Sequence, residues 1–168
     1  MTYPIPRYFF LVLCLFYCTG AGADCPPSPS VREAIATGSP EALLSVIRQI
    51  ETCEDYQDSL GLAYHKLGVF YYFNQEMEQA ERVAKALEAT RKAIAVRSGL
   101  EPVPHADVGQ SHLNMAFFHQ DQLDYDQAAG AASDAMAAFE RGGSSRVVNC
   151  LWKLADIMEL IGDYRKAL

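Results

Sequence analysis

This chain has no apolar run long enough to cross a membrane as a helix. The longest, Tyr8 to Tyr17, has about ten residues where a span needs roughly 20. An excess of positive charge is missing as well: 14 lysines and arginines stand against 21 aspartates and glutamates, a net charge of -7. Arg91-Lys92 is an isolated basic pair and no basic cluster interleaves with aromatics, which argues against a nucleic-acid partner. A phosphate-binding loop is also lacking. Gly142-Gly143-Ser144-Ser145 is preceded by no strand pattern and followed by no Gly-Lys-Ser or Gly-Lys-Thr, so it is a flexible connector.

Catalytic and metal-binding groupings are equally scarce. His112 and His119 lie seven residues apart on one expected helix, about 10 Å along its axis, too far to share a zinc ion. Asp121, Asp124 and Asp126 lack the glycine and terminal glutamate of a calcium loop and suit the capping of a turn and the next helix. Glu76, Glu78 and Glu81 have no apolar pocket or fixed partner to shift their acidity, and form a solvated face. The expectation is no metal, no cofactor, no catalytic residue and no enzymatic activity within these residues.

What is present begins with a targeting segment. Met1 to Arg7 is short with one basic residue, Tyr8 to Tyr17 is apolar, and Ala21-Gly22-Ala23 supplies small residues for cleavage, the pattern of a secretory signal peptide. The mature chain then starts at Asp24 in an extracytoplasmic compartment, periplasmic or secreted, and meets the membrane only during export. Cys14 and Cys18 leave with the signal, so Cys25, Cys53 and Cys150 remain. Cys25 and Cys53 flank a short helical region and are the disulfide candidate; Cys150, beside Leu151 and Trp152, suits a buried core position. Residues 24-60 are assigned to an N-terminal helical cap.

From residue 61 to 168 one pattern recurs three times: Leu67, Gly68, Tyr71, Met77, Ala80; Met115, Ala116, His119, Tyr125, Ala128; Leu154, Ala155, Met158, Tyr164, Ala167. Antiparallel helices joined by a tight turn approach closely only where small residues meet, so Gly68 is expected to face Ala80, Ala116 to face Ala128, and Ala155 to face Ala167. Gly162-Asp163 is the best turn; the other two, at Gln75-Glu76 and Leu123-Asp124, lack a glycine. Leu67 to Met115 is 48 residues and Met115 to Leu154 is 39. The surplus in the first unit falls in a run of helix formers between Ala80 and Ala93 and is expected to lengthen the second helix by almost two turns, before Pro102 and Pro104 end it.

These residues resemble the tetratricopeptide repeat, a helix-turn-helix unit, and Ala93-Ile94-Ala95-Val96-Arg97 with His105 and Val108 resembles the longer repeats of kinesin light chains and of bacterial arrays. The resemblance implies an all-α solenoid of about two and a half repeats behind the cap. It also implies that the first helix of each pair lines a concave groove, at His65, Val69, Leu113, Phe117, Trp152 and Asp156, and one turn further at Tyr72, Gln120 and Glu159, with Phe73 and Asp121 beside them. Lysine, arginine and asparagine, which would grip a C-terminal carboxylate, are absent from those positions. The groove implied is aromatic and apolar with an acidic edge, suited to an apolar peptide or helix, with or without a basic group, or to another segment of the same chain. Because the third repeat stops at Leu168, the chain is expected to be the N-terminal part of a longer protein or to cover its open end by self-association. An interaction scaffold is the leading expectation; the regulatory front of a caspase-like peptidase or the input region of a sensor histidine kinase are the alternatives.

Overall fold

The computed structural model describes residues 25-167, with side chains as far as Gly162. The expected signal peptide, residues 1-23, lies outside the described residues, as do the side chains of Tyr164 and Ala167. Seven α-helices follow one another among the described residues, with no strand: α1 (Ser28–Thr37), α2 (Pro40–Ile50), α3 (Gln57–Phe73), α4 (Gln79–Ser98), α5 (His105–Asp121), α6 (Tyr125–Arg141) and α7 (Val147–Ala167). The packing is that of a helical solenoid. α3 pairs with α4 and α5 with α6, while α4 meets α5 and α6 meets α7 through smaller faces.

The cap is itself a short helix pair. Gly38 takes a left-handed φ of 67°, Ser39 accepts a hydrogen bond from the Ala42 N–H at 3.2 Å, and Pro40 opens α2, three consecutive residues that end one helix and start the next. Val31, Ile35, Leu43, Val46, Ile47 and Ile50 then bury the apolar sides of α1 and α2 against Leu60, Ala63, Tyr64 and Leu67 of α3. A Cys25–Cys53 disulfide closes the hairpin, with Cα atoms 6.1 Å apart, and the Tyr56 hydroxyl donates to the Pro26 carbonyl at 2.7 Å. Cys150 is fully buried, and burial raises the pKa of its thiol. The first pair starts at Gln57, four residues before the boundary drawn from the sequence.

The crossing of the first pair differs from the expected one. An ideal Cβ on Gly68 would stand 2.4 Å from the Thr90 hydroxyl and 3.2 Å from the Ala86 carbonyl, so Gly68 faces Ala86 and Thr90. Ala80 is exposed. The cause is the turn: five residues, Asn74 to Glu78, separate α3 from α4, against three between α5 and α6. Ala80 therefore sits in the first turn of α4, ahead of the crossing, and Val83 is the buried residue there. In the second pair Ala116 and Ala128 are both fully buried in one core cluster, as expected.

From the start of α3 to that of α5 is 48 residues, and from the start of α5 to that of α7 is 42. Two of the six extra residues lie in the turn, three in α4 and one in the connector that follows. α4, with 20 residues, is thus less than one turn longer than α6, with 17, where the sequence suggested almost two.

The third unit also departs from expectation, because α7 runs without a break through Gly162 and Asp163 to Ala167. A lone glycine weakens a helix by about 1 kcal/mol relative to alanine, too little to end one whose Leu154, Ile157 and Ile161 pack on α6. Ala155 and Ala167 consequently share a helix and do not face each other. The residue in register with Leu67 and Met115, eleventh in its helix, is the fully buried Ile157, not Leu154.

Turn chemistry compensates for the missing glycines in two ways. Asn74 accepts the Glu76 N–H with its side-chain oxygen at 3.0 Å. In the second turn Leu123 itself adopts a left-handed φ of 60°, its N–H bonds to Gln120 O, and the Asp124 N–H bonds to His119 O. Asp124 then caps α6 by accepting the Gln127 N–H at 3.3 Å, the capping role expected of it. Leu123 is 71% exposed, so its side chain gains little from burial while its backbone bears the left-handed cost. Leu123→Gly is expected to raise stability by about 1 kcal/mol, as a higher midpoint in urea at unchanged slope; a lower midpoint contradicts this.

Candidate functional site

The C-terminal halves of α3 and α5 leave a cleft of about 380 Å³ between them, lined by Val69, Tyr72, Phe73, Asn114, Phe117 and Phe118. Position in the helix explains the grouping. Val69 and Phe117 are each thirteenth in a 17-residue helix, and Tyr72 and Phe73 follow one turn later on α3. Phe118 turns inward, 2% exposed, and supports the Tyr72 ring at 4.4 Å between centroids, while Phe73 and Phe117 remain 70% and 41% exposed. The cleft therefore has a floor of buried Phe118 and half-buried Tyr72 and two exposed aromatic walls.

The polar groups around it are bonded to one another. The Tyr72 hydroxyl donates to Asp121 at 2.8 Å; burial, then that bond, push its pKa up to about 12. Arg82 lies against the Tyr72 ring and donates to the Tyr72 carbonyl. Lys153 reaches across from α7, its stem buried and its ammonium 3.9 Å from the Phe117 ring centroid. That ammonium donates to Gln120 at 2.5 Å and to Asp156 at 3.2 Å, and Asp156 also accepts from the Gln120 amide at 3.1 Å. These bonds, the lysine's first, hold the Asp156 carboxyl below the usual carboxylate range. Asn114 accepts from the Gln110 amide at 3.0 Å.

Of the residues expected in the groove, Val69, Tyr72 and Phe117 meet in the cleft, and Gln120 and Asp156 form its polar margin. Trp152, 74% exposed, and Glu159, also exposed, lie on α7 outside the cleft lining. His65 and Leu113 do not line it. Both are ninth in their helices, where the following helices close over: Ser111 of α5 covers His65, and Phe139 and Cys150 cover Leu113. The groove is thus open only over the second half of each helix. Asn114 and Lys153 were not expected here; Asn114 is one turn before Phe117, and the Lys153–Asp156 spacing of three residues is the one sequence signal for the second.

His65 belongs to a polar knot that fastens the two pairs. Its Nδ1 is 3.1 Å from the Ser111 hydroxyl, and the buried Arg97 guanidinium donates to that hydroxyl at 2.8 Å and to the Asp107 carbonyl at 3.1 Å. Gly61 makes room for the Arg97 stem, since a Cβ there would stand 2.8 Å from its Cγ. Burial, and then the Arg97 charge, lower the His65 pKa to about 4 against the opposing pull of Asp107. The unfolded chain takes up this proton near pH 6.5 and the folded chain only near 4, so stability falls as pH drops through that window. The expected loss is up to about 3 kcal/mol. His65→Gln should flatten this slope in urea titrations between pH 7 and 4; an unchanged slope rules His65 out as its source. His112 and His119 are shifted down by burial too and retain part of the slope.

Among the described residues no three His, Cys, Asp or Glu side chains converge as a metal site requires. No helix among them is long and apolar enough to cross a membrane. Comparison of the chain with protein-family models, with curated proteins and with solved structures finds no match in any of the three.

Proposed function

We propose that this chain is an interaction scaffold of tetratricopeptide type, without catalysis of its own, that docks a protein partner in the cleft between α3 and α5. The observation that carries this reading is the pair of exposed rings, Phe73 and Phe117, over a floor of Tyr72 and Phe118. Aromatic side chains that stay exposed around a formed hollow, on a chain of net charge -7, are what a partner would cover. The Cys25–Cys53 disulfide supports an extracytoplasmic location. Self-association is favoured by a separate feature, the exposed Val148, Leu151 and Met158 along α7.

The test is co-isolation from the cells that produce the protein, with tagged wild type, Phe73→Ser and Ala95→Ser compared. Phe73 lines the cleft and Ala95 is exposed on α4. A partner retained by wild type and Ala95→Ser but lost from Phe73→Ser supports the reading. Equal retention by all three variants contradicts it.

A further inference from the structure

We infer that the occupant of the cleft is an amphipathic helix, with two bulky apolar side chains four residues apart that straddle Phe73, and with basic residues at its edges. This rests on the docking role proposed above and specifies the partner. Phe73, with Val69, lines two hollows: the 380 Å³ cleft and a hollow of about 520 Å³ lined also by Phe70, Asn74, Gln75 and Glu76. A partner that covers Phe73 places one apolar group in each, and side chains at i and i+4 of a helix, about 6 Å apart, match the width of a shared ring.

The backbone state of the partner follows from what the cleft cannot offer. An extended segment brings unpaired N–H and C=O groups that must find partners once water is excluded. Here Tyr72 is bonded to Asp121, Gln120 and Lys153 to Asp156, and the Asn114 oxygen to Gln110. Within the cleft lining the Asn114 amide nitrogen is then the one side-chain donor without a partner among the described residues, while Asn74, Gln75 and Glu76 offer polar groups only in the second hollow. A helix satisfies its own backbone and enters an apolar cleft without that penalty. Charge selects the flanks. Glu76 lines the second hollow, Asp121 is bonded to Tyr72, and Asp156 is bonded to Lys153, so these acids outnumber the nearby cations, Lys153 and Arg82, by one.

The full chain would be titrated with fluorescein-labelled 16-residue peptides, read by fluorescence anisotropy at low and at moderate salt. The parent peptide is alanine-based and helical, with two leucines four residues apart and lysines on the flanks. Three others replace one leucine by alanine, the lysines by glutamates, or two central alanines by prolines. The parent is expected to bind, with affinity falling as salt rises, and each change to weaken binding at least about tenfold. Phe73→Ala, checked for unchanged helicity, should produce a similar loss. Binding that needs Phe73 but is equal for the proline or glutamate peptide overturns the helical or basic assignment and leaves the docking role standing. No binding by any peptide, or binding indifferent to Phe73→Ala, overturns the inference outright, while the co-isolation comparison judges the docking role independently.

Discussion

Gly68→Leu is expected to destabilise the protein by about 3 kcal/mol or more, because the crossing of α3 and α4 has no room for a side chain. Even the first carbon would stand 2.4 Å from the hydroxyl of Thr90, which is fully buried. Urea denaturation followed by circular dichroism reads the effect as a lower midpoint. Gly68→Ala separates the expected crossing from the observed one. Its penalty should shrink when Thr90 is also changed to Ala, since the deleted hydroxyl is the atom in the way and has no hydrogen-bond partner among the described residues. If Ala80→Gly relieves the penalty and Thr90→Ala does not, the register of the first pair is wrong.

Phe139→Ala is the second large effect, about 3 to 5 kcal/mol. Phe139 leads the fully buried side chains by volume, and it joins three helices near the open end of the second pair. Leu113 of α5, Ala135 of α6 and Cys150 of α7 surround it, and a Cβ on Gly109 would stand 2.8 Å from its ring. Phe139→Leu should recover much of the loss, because it leaves a smaller void. A loss below about 1 kcal/mol for the alanine variant would mean that the ring is not enclosed by all three helices.

The fold was legible where the sequence repeats a local requirement. Ala116 and Ala128 announce a close crossing, Asp124 announces a cap, and the all-helical class follows from periodicity. What the sequence concealed depends on registers set elsewhere. The residue thirteen after Leu67, Ala80, sits at the crossing only if both turns have one length, and Asn74 closes a longer turn with its side chain. Gly61 and Gly109, both fifth in their helices, recur in the first two units only; each clears a residue near the end of the second helix, Arg97 in one pair and Phe139 in the other.

The site was legible in part for the same reason. Val69, Tyr72 and Phe117 lie on the face that the resemblance assigned to the groove, and they line the cleft. His65 and Leu113 share that face, yet the next helix covers the first half of each groove helix, which only the stacking of one pair on another decides. Lys153 escaped notice because a buried lysine looks like any surface lysine in sequence; its place over Phe117 depends on the angle at which α7 crosses α5.

The most direct test of the account is site-specific photo-cross-linking in the producing cells, with benzoylphenylalanine placed at Phe73, at Phe117 and, as a comparison, at Asp134. Asp134 is exposed on α6 and lines a separate hollow. The account predicts the same partner adduct from Phe73 and Phe117 and none from Asp134. An adduct from Asp134 with none from either phenylalanine position would contradict it.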